Sequence, residues 1–595
     1  MSQQRPVSDK PADGAAAPAT RLYATPPGLA QPLRVTLLVP EWIPSWLSRF
    51  LELAAEVSWI RVSVLPVADW SLPTVKNLPL DLRGFLAIER LRPGHTDGMA
   101  SAVSFPVHPG VSIAPEVSAD ADAKQLRERI HKLRPDLIVS LGPPAWTSLL
   151  ADDAEWGCWS LDAGLLDEDL AGTALLAPML NRESATEIQL ELMTPSLAPM
   201  SLATSWGATS HGSFARQREQ VFLKLPLLLL RIMRQLAADD PLIPRRQPGE
   251  LRQAGVREPL GMAAGARALW GTVCTTLRWQ LAKRRRLMPW LLVLRQDSTP
   301  LDPAAPAVRS STIVQAPKDY YWADPCMVER DGRKLIFVEE MQPSKKGAIA
   351  CLELQPDGAT RLGLALEEAS HLSYPQVFAW EGEWYMTVES SQARRVTLYK
   401  AAEFPLGWRR VADLVTGRVC VDPTLHFHEG HWYLFATIAE NGNSTWDELF
   451  LFVADRLEGP FHPHPANPII SDVRRARPAG RLFRHGDKLI RPAQDCAAHY
   501  GSAIAFNQVL ELSPSHYREQ PISRLGPDWA DSLIACHTYS AAGGTEVLDA
   551  RGYPPAGTPL LRTFDASSEV LGATSRAQAQ TRTGQQSRSK GSVDA

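Results

Sequence analysis

The seven cysteines of this chain, at 158, 274, 326, 351, 420, 496 and 536, are odd in number and include no CxxC pair. Neither a disulfide framework nor a cysteine zinc site is expected; reduced thiols in a cytoplasmic protein are. Charge of one sign is lacking as well, since 62 Lys and Arg face 65 Asp and Glu for a net charge of −3. No long basic stripe is present, so nucleic acid is not an expected partner. Long hydrophobic runs are also missing. The most apolar stretch, Phe222 to Leu230, contains Lys224 and Pro226 and is followed by Arg231 and Arg234. It is too short and too charged to span a bilayer and is expected to be a buried or interfacial amphipathic helix. Residues 1–25 are polar and rich in Ala and Pro, so no signal peptide is expected. Walker A, strand-following GxGxxG, HExxH and GxSxG motifs are absent. No DxD pattern stands in a convincing place, and the lone pairs Asp152-Asp153 and Asp239-Asp240 fit helix capping.

What is present divides into two halves. A length of 595 residues, 45% apolar and 21% charged, suits more than one globular domain. Residues 1–30 read as a disordered leader. Leu33–Pro40 reads as a buried strand, Trp46 to Glu56 as a helix and Ile60 to Leu65 as a second strand. Leu126 to Leu133 reads as a helix leading to the buried strand Asp136–Gly142. Alternating strands and helices over 31–240 predict a parallel α/β sheet, with ligands expected at its carboxyl edge. Residues 241–285 read as a Pro/Arg-rich linker and a basic helical connector, with the run Lys283-Arg284-Arg285-Arg286 at the boundary with the next domain. That run is usually a solvated face; its other reading is a phosphate or membrane-surface contact.

The second half repeats itself. Trp322-Ala323-Asp324-Pro325, Ser373-Tyr374-Pro375-Gln376, Val421-Asp422-Pro423-Thr424 and Arg477-Pro478-Ala479-Gly480 open similar units, with prolines at 325, 375, 423 and 478. Cys536-His537-Thr538-Tyr539 is a fifth, weaker opening. Steps near 50 residues in an all-strand region predict a five-bladed β-propeller over 286–553. Asp331-Gly332, Glu381-Gly382 and Glu429-Gly430 predict tight hairpins between first and second strands. Trp290–Leu294 or Ser311–Val314 is expected to close the ring by joining the last blade. Residues 554–595 read as a disordered tail. First strands line a propeller's channel, so Asp324, Tyr374, Asp422, Arg477 and His537 are expected to converge there, a setting for a polyhydroxylated ligand. The structural alternative is that Asp before Pro simply caps backbone amides in a repeated turn.

Residues 286–553 resemble the propeller of plant glucosamine inositolphosphorylceramide transferases. The resemblance rests on Ala323-Asp324-Pro325, His371-Leu372-Ser373-Tyr374-Pro375, Val421-Asp422-Pro423-Thr424, Arg477–Arg481 and Arg491–Cys496. Asn467-Pro468, Tyr500-Gly501 and His537-Thr538 add to it. That propeller is similar to the five-bladed fold of family-43 glycoside hydrolases. In the plant proteins glycosyl transfer belongs to a separate domain without a counterpart here, so the resemblance does not bring transferase activity. The hydrolase likeness implies paired carboxyls held at different pKa values. On it Asp324 is the expected base or nucleophile, Asp422 the tuning carboxylate and Glu389 the general acid, with Glu340 as the alternative acid. Trp322, His371, Tyr374, Arg477, Gln494, Asp495 and His537 complete the expected binding set; no metal is expected.

Residues 33–240 more weakly resemble formyltransferase-like α/β domains, through Leu33–Pro40, Arg134–Ser140 and Gly157–Asp162. The family's Asn-x-His run is missing, and Asp162 alone stands near its place. A folate is expected only if this domain is active. The sequence thus predicts a carbohydrate-active protein that binds or processes a cell-envelope glycan or glycolipid, with peripheral membrane contact allowed. Its rivals are an amino-sugar N-formyltransferase that holds its sugar in the propeller, and a scaffold without chemistry.

Overall fold

The computed structural model describes residues 18–26, 31–69, 79–91, 102–103, 111–141, 144–160, 175–194, 197–238, 263–281, 288–343 and 345–565. In the first half the strands are β1 (Leu33–Pro40), β2 (Ile43–Pro44), β3 (Ile60–Ala68), β4 (Ala102–Val103), β5 (Val111–Ile113), β6 (Val117–Ser118), β7 (Leu137–Ser140), β8 (Cys158–Ser160), β9 (Ala185–Thr194) and β10 (Leu197–Ala208). The helices are α1 (Ser45–Ala55), α2 (Leu80–Arg90), α3 (Ala123–Leu133), α4 (Pro144–Leu149), α5 (Leu176–Leu180), α6 (Phe214–Ala237) and α7 (Ala264–Leu281).

The expected parallel sheet is present. Its order is β5-β3-β1-β7-β8, with β6 also on β3, and every pairing is parallel. Strands β1 and β7 are apolar and buried almost throughout, as a sheet covered on both faces requires. Antiparallel β9 and β10 form a separate hairpin. Helix α6 carries the apolar stretch Phe222–Leu230 and is largely buried, although Pro226 lies inside it. Proline interrupts the helical hydrogen-bond ladder. Close by, the Leu223 carbonyl accepts from the Asn441 and Asn443 amides of the second half, at 3.1 and 3.2 Å.

The second half is a propeller of five sheets, antiparallel except where residues 560–565 add short parallel strands. Blades one to four open with Tyr321–Arg330, Ser373–Trp380, Cys420–His428 and Arg477–Pro478. Blade five combines Tyr539–Ala542 and Thr545–Gly552 with both Trp290–Arg295 and Ser311–Val314, so both candidate closing strands join it. The hairpin turns follow the expected chemistry. Asp331, Glu381 and Glu429 have φ of 52°, 49° and 47°, and the glycine after each is also left-handed, the two-residue turn that matches strand twist.

Three stretches pack more closely than a leader, a tail and a connector were expected to. Residues 18–26, within the presumed leader, lie against the propeller: Thr20 N–H donates to the Thr416 carbonyl (2.9 Å) and Leu22 is buried among Val415, Trp432 and Phe450. Residues 560–565, within the presumed tail, add short strands to blades five and one. Helix α7, read as a connector, packs on α2 and buries Ala264 and Ala268 in the α/β core. The run Lys283–Arg286 and the pair Asp239-Asp240 lie outside the described residues.

The two halves meet along α6. Arg231 bridges Glu448 (3.0 Å) and Glu440 (3.4 Å), and Lys224 bridges Asp447 (2.8 Å) and Glu448 (3.4 Å), all with little exposure. Tyr23 of the N-terminal segment donates to Glu440 at 2.5 Å and accepts from Arg231 at 3.2 Å. Among the described residues, no helix is long and apolar enough to cross a membrane.

Candidate functional site

Blades one, two and three each begin with a bulge, where Asp324, Tyr374 and Asp422 adopt φ of 51°, 46° and 49°. Left-handed backbone is uncommon for residues other than glycine and persists only where surroundings hold it. Here carboxylates hold it. The Tyr374 amide donates to Asp324 Oδ2 (3.3 Å), the Asp422 amide to Glu389 Oε2 (3.2 Å) and the Asp324 amide to Asp549 Oδ2 (3.0 Å). The turn-capping reading of these acids therefore holds in part, and it operates between blades.

The same bulges turn acids toward the channel. Asp324, Glu389, Arg477 and His537 line one cavity of about 800 Å³. Asp422 lies just beneath, fully buried, its carboxylate accepting from Arg477 Nε (2.5 Å) and Gln494 Nε2 (2.7 Å). Arg477 Nη2 stands 3.7 Å from Glu389. Burial raises the Asp422 carboxyl above its ordinary range, and Arg477 pulls it back. Burial also raises Asp324, whose Oδ1 accepts from the Thr538 hydroxyl at 3.0 Å.

His537 is fixed from every side. Its Nδ1 lies 2.7 Å from Asp549 Oδ2, and its Nε2 lies 3.7 Å from Asp324 Oδ1. Trp290 stacks on the ring at 4.0 Å, and the Tyr500 ring meets it edge-on at 5.2 Å. Gly501, at φ 62°, makes room: a Cβ there would sit 2.8 Å from the His537 Cβ. Burial alone would lower this imidazole. The charge and hydrogen bond of Asp549, with Asp324 nearby, outweigh burial and push it up to about 9. Asp324, His537 and Asp549 offer ligand atoms within 4.8 Å of one another. The Asp549 oxygens, however, already accept from the His537 and Thr538 amides (3.0 and 2.8 Å), the Asp324 amide and the imidazole. This donor set is that of a carboxylate-held histidine.

His371 lines the cavity beside Glu339, with Nε2 at 3.1 Å from that carboxylate, while its Nδ1 accepts the Gly347 amide at 2.9 Å. The hydrogen bond to Glu339 raises its pKa. The remaining expected residues lie elsewhere. Trp322 is fully buried and donates to Glu340, which Arg361 holds at 2.7 and 2.8 Å; neither lines the cavity. Tyr374 points between blades, its hydroxyl bonded to Thr424 (3.0 Å) and accepting from the Gly480 amide (2.6 Å). Asp495 alternates away from Gln494 and pairs with Arg524 at 2.8 Å. Asp162 lies outside the described residues.

The α/β half supplies the cavity's other wall. Gln217, Gln220, Val221 and Lys224 of α6, Thr186 and Ile188 of β9 and Gly207 of β10 line it, facing Trp290, Trp446 and Tyr500. None of these was read as a site residue from the sequence. Asp549 carried no signal, whereas Tyr500 stood among the residues that carry the family resemblance and Trp290 opened an expected closing strand.

Residues 292–526 match the family model described as "Glucosamine inositolphosphorylceramide transferase 1, N-terminal". The chain is 34% identical over 207 residues to glucosamine inositolphosphorylceramide transferase 1 of Oryza sativa subsp. japonica, covering 34% of this chain and 28% of that protein. The Arabidopsis thaliana protein of the same name is 34% identical over 205 residues, 33% of this chain and 27% of its own length. The chain thus spans well under a third of the curated relatives it matches. Among solved structures, a GH43_1 enzyme from Xanthomonas citri is 13% identical with a TM-score of 0.30, covering 41% of this chain and 92% of that one. A likeness at that level says nothing of activity.

Proposed function

We propose that this protein recognises the sugar of a cell-envelope glycan or glycolipid in the cavity between propeller and α6, and performs acid–base glycosyl chemistry on it. The observation that carries this reading is the set of groups meeting in one 800 Å³ space: Asp324, Glu389, His371, Arg477 and His537, flanked by Trp290, Trp446 and Tyr500. Aromatic faces beside carboxylates and nitrogen donors suit a ring bearing many hydroxyls. A propeller serving only as scaffold would be expected to fill its channel with apolar side chains.

Asp324 reaches the cavity and serves as base or nucleophile. Glu389 reaches it beside Arg477 and serves as acid. Asp422, with Arg477 and Gln494 on its carboxylate, does not touch substrate and tunes its neighbours. The relatives' name supports glucosamine and an inositol-phosphate lipid headgroup as the first ligands to try. The test is saturation-transfer NMR on the full chain with amino sugars, uronic acids and pentoses, comparing wild type with Asp324→Asn. Transfer to one sugar class that weakens in the variant is the expected result. Absence of transfer from every class would overturn the reading.

A further inference from the structure

Helices α2 and α7 pack on one another over the α/β core and turn similar chemistry outward. Helix α7 buries Ala264, Ala268 and Thr272 and exposes Trp270, Val273 and Leu277, which share one face at about 3.6 residues per turn. Helix α2 buries Leu82, Phe85 and Leu86 and exposes Leu80 and Ile88, and Leu91 at its C-terminal cap is exposed as well. Trp270 is 71% exposed, Leu80 80% and Leu91 85%. Single exposed apolar residues are ordinary, whereas large ones grouped on adjoining helices mark an interaction surface.

Among the described residues of α2 and α7, the exposed charge has one sign. Arg83, Arg90 and Arg267 are exposed. The acids of α2 are engaged inside: Asp81 accepts the Gly265 amide at the start of α7 (3.0 Å), and buried Glu89 accepts the Phe214 amide (2.9 Å) and the Ser213 hydroxyl (3.1 Å) at the start of α6. Helix α7 has no acid, and the sequence holds none between Glu258 and Asp297.

We propose that the α2–α7 face docks this protein on an anionic lipid bilayer, with Trp270, Leu277, Leu80 and Leu91 at the acyl boundary and the arginines among the headgroups. Apolar side chains with tryptophan, edged by arginine and free of acids, are the composition of interfacial helices. Charge complementarity selects the membrane over a second copy of the chain. A twofold contact would set this face against itself, arginine against arginine, with no acid to answer. The inference rests on these helices and not on the sugar reading.

The test is co-sedimentation of the full chain with vesicles of phosphatidylcholine and phosphatidylglycerol, against vesicles of phosphatidylcholine alone. Wild type is expected to bind the mixed vesicles at least tenfold more tightly, less so as salt rises. Replacing Arg83, Arg90 and Arg267 together by serine is expected to weaken binding about a hundredfold, roughly fivefold for each arginine. Trp270→Ser with Leu277→Ser, at exposed positions, is expected to cost at least tenfold with an unchanged circular-dichroism spectrum. Equal binding to both vesicles, or full binding by both variants, would overturn the proposal. So would a wild-type dimer in light scattering that Trp270→Ser with Leu277→Ser converts to monomer.

Discussion

Arg477 donates from Nε to Asp422 at 2.5 Å and from Nη2 at 3.3 Å, joining the first strands of blades three and four beneath the cavity. Both groups are buried, and Gln494 completes the Asp422 shell. Removing one partner of such a pair leaves an uncompensated charge. Asp422→Leu should therefore destabilise the protein by about 3–5 kcal/mol in urea unfolding, and adding Arg477→Met should recover a large part of it. Equal losses in single and double variants would show that the pair is not the source.

His537 sets a pH dependence of stability. Its folded pKa of about 9 lies above the ordinary 6.5, so the folded state binds more protons between those values. The contribution is complete below pH 6.5 and is lost as pH rises through about 9, on the order of 3 kcal/mol. Raised Asp324 acts in the same direction. Urea midpoints at pH 6.5 and 9.5 should fall in wild type and fall distinctly less in His537→Gln.

The N-terminal segment acts as a clasp across the two halves. Arg231 touches Tyr23, Glu440 and Glu448 in one buried network. Arg231→Met should destabilise by about 3 kcal/mol or more and should raise amide exchange at Thr20, whose N–H bonds to blade two. Unchanged exchange there would separate the segment from the network.

The cavity wall supplied by α6 can be tested without disturbing the core. Gln220 lines the cavity yet is exposed. Gln220→Trp should weaken sugar binding at least tenfold while leaving thermal unfolding unchanged. Trp290→Ala should also weaken binding, with a small stability loss of about 1 kcal/mol from the lost stacking on His537.

The blades were legible because one turn chemistry recurs: Asp324-Pro325 and Asp422-Pro423 mark equivalent bulges, and acidic residue–Gly pairs mark equivalent hairpins. Strand alternation sorted less well near bulges. Gln494 points to the channel and Asp495 away from it, while Trp322 and Glu340 bond to each other outside the cavity. Asp549 gave no signal because it lies on a second strand without a proline mark, although it holds His537 and two blade starts. The wall from Gln220, Lys224 and Ile188 is a product of domain docking, and no local pattern encodes which surface a helix will meet. The ordered segment 18–26 escaped for the same reason: its few apolar residues, led by Leu22, matter only against blade two and blade three.

The most direct measurement is a crystal structure of the full chain soaked with glucosamine. A sugar is expected in the cavity, with a hydroxyl within hydrogen-bonding distance of Asp324 and the ring beside Trp290. A sugar bound elsewhere on the chain, or none at saturating concentration, would contradict it.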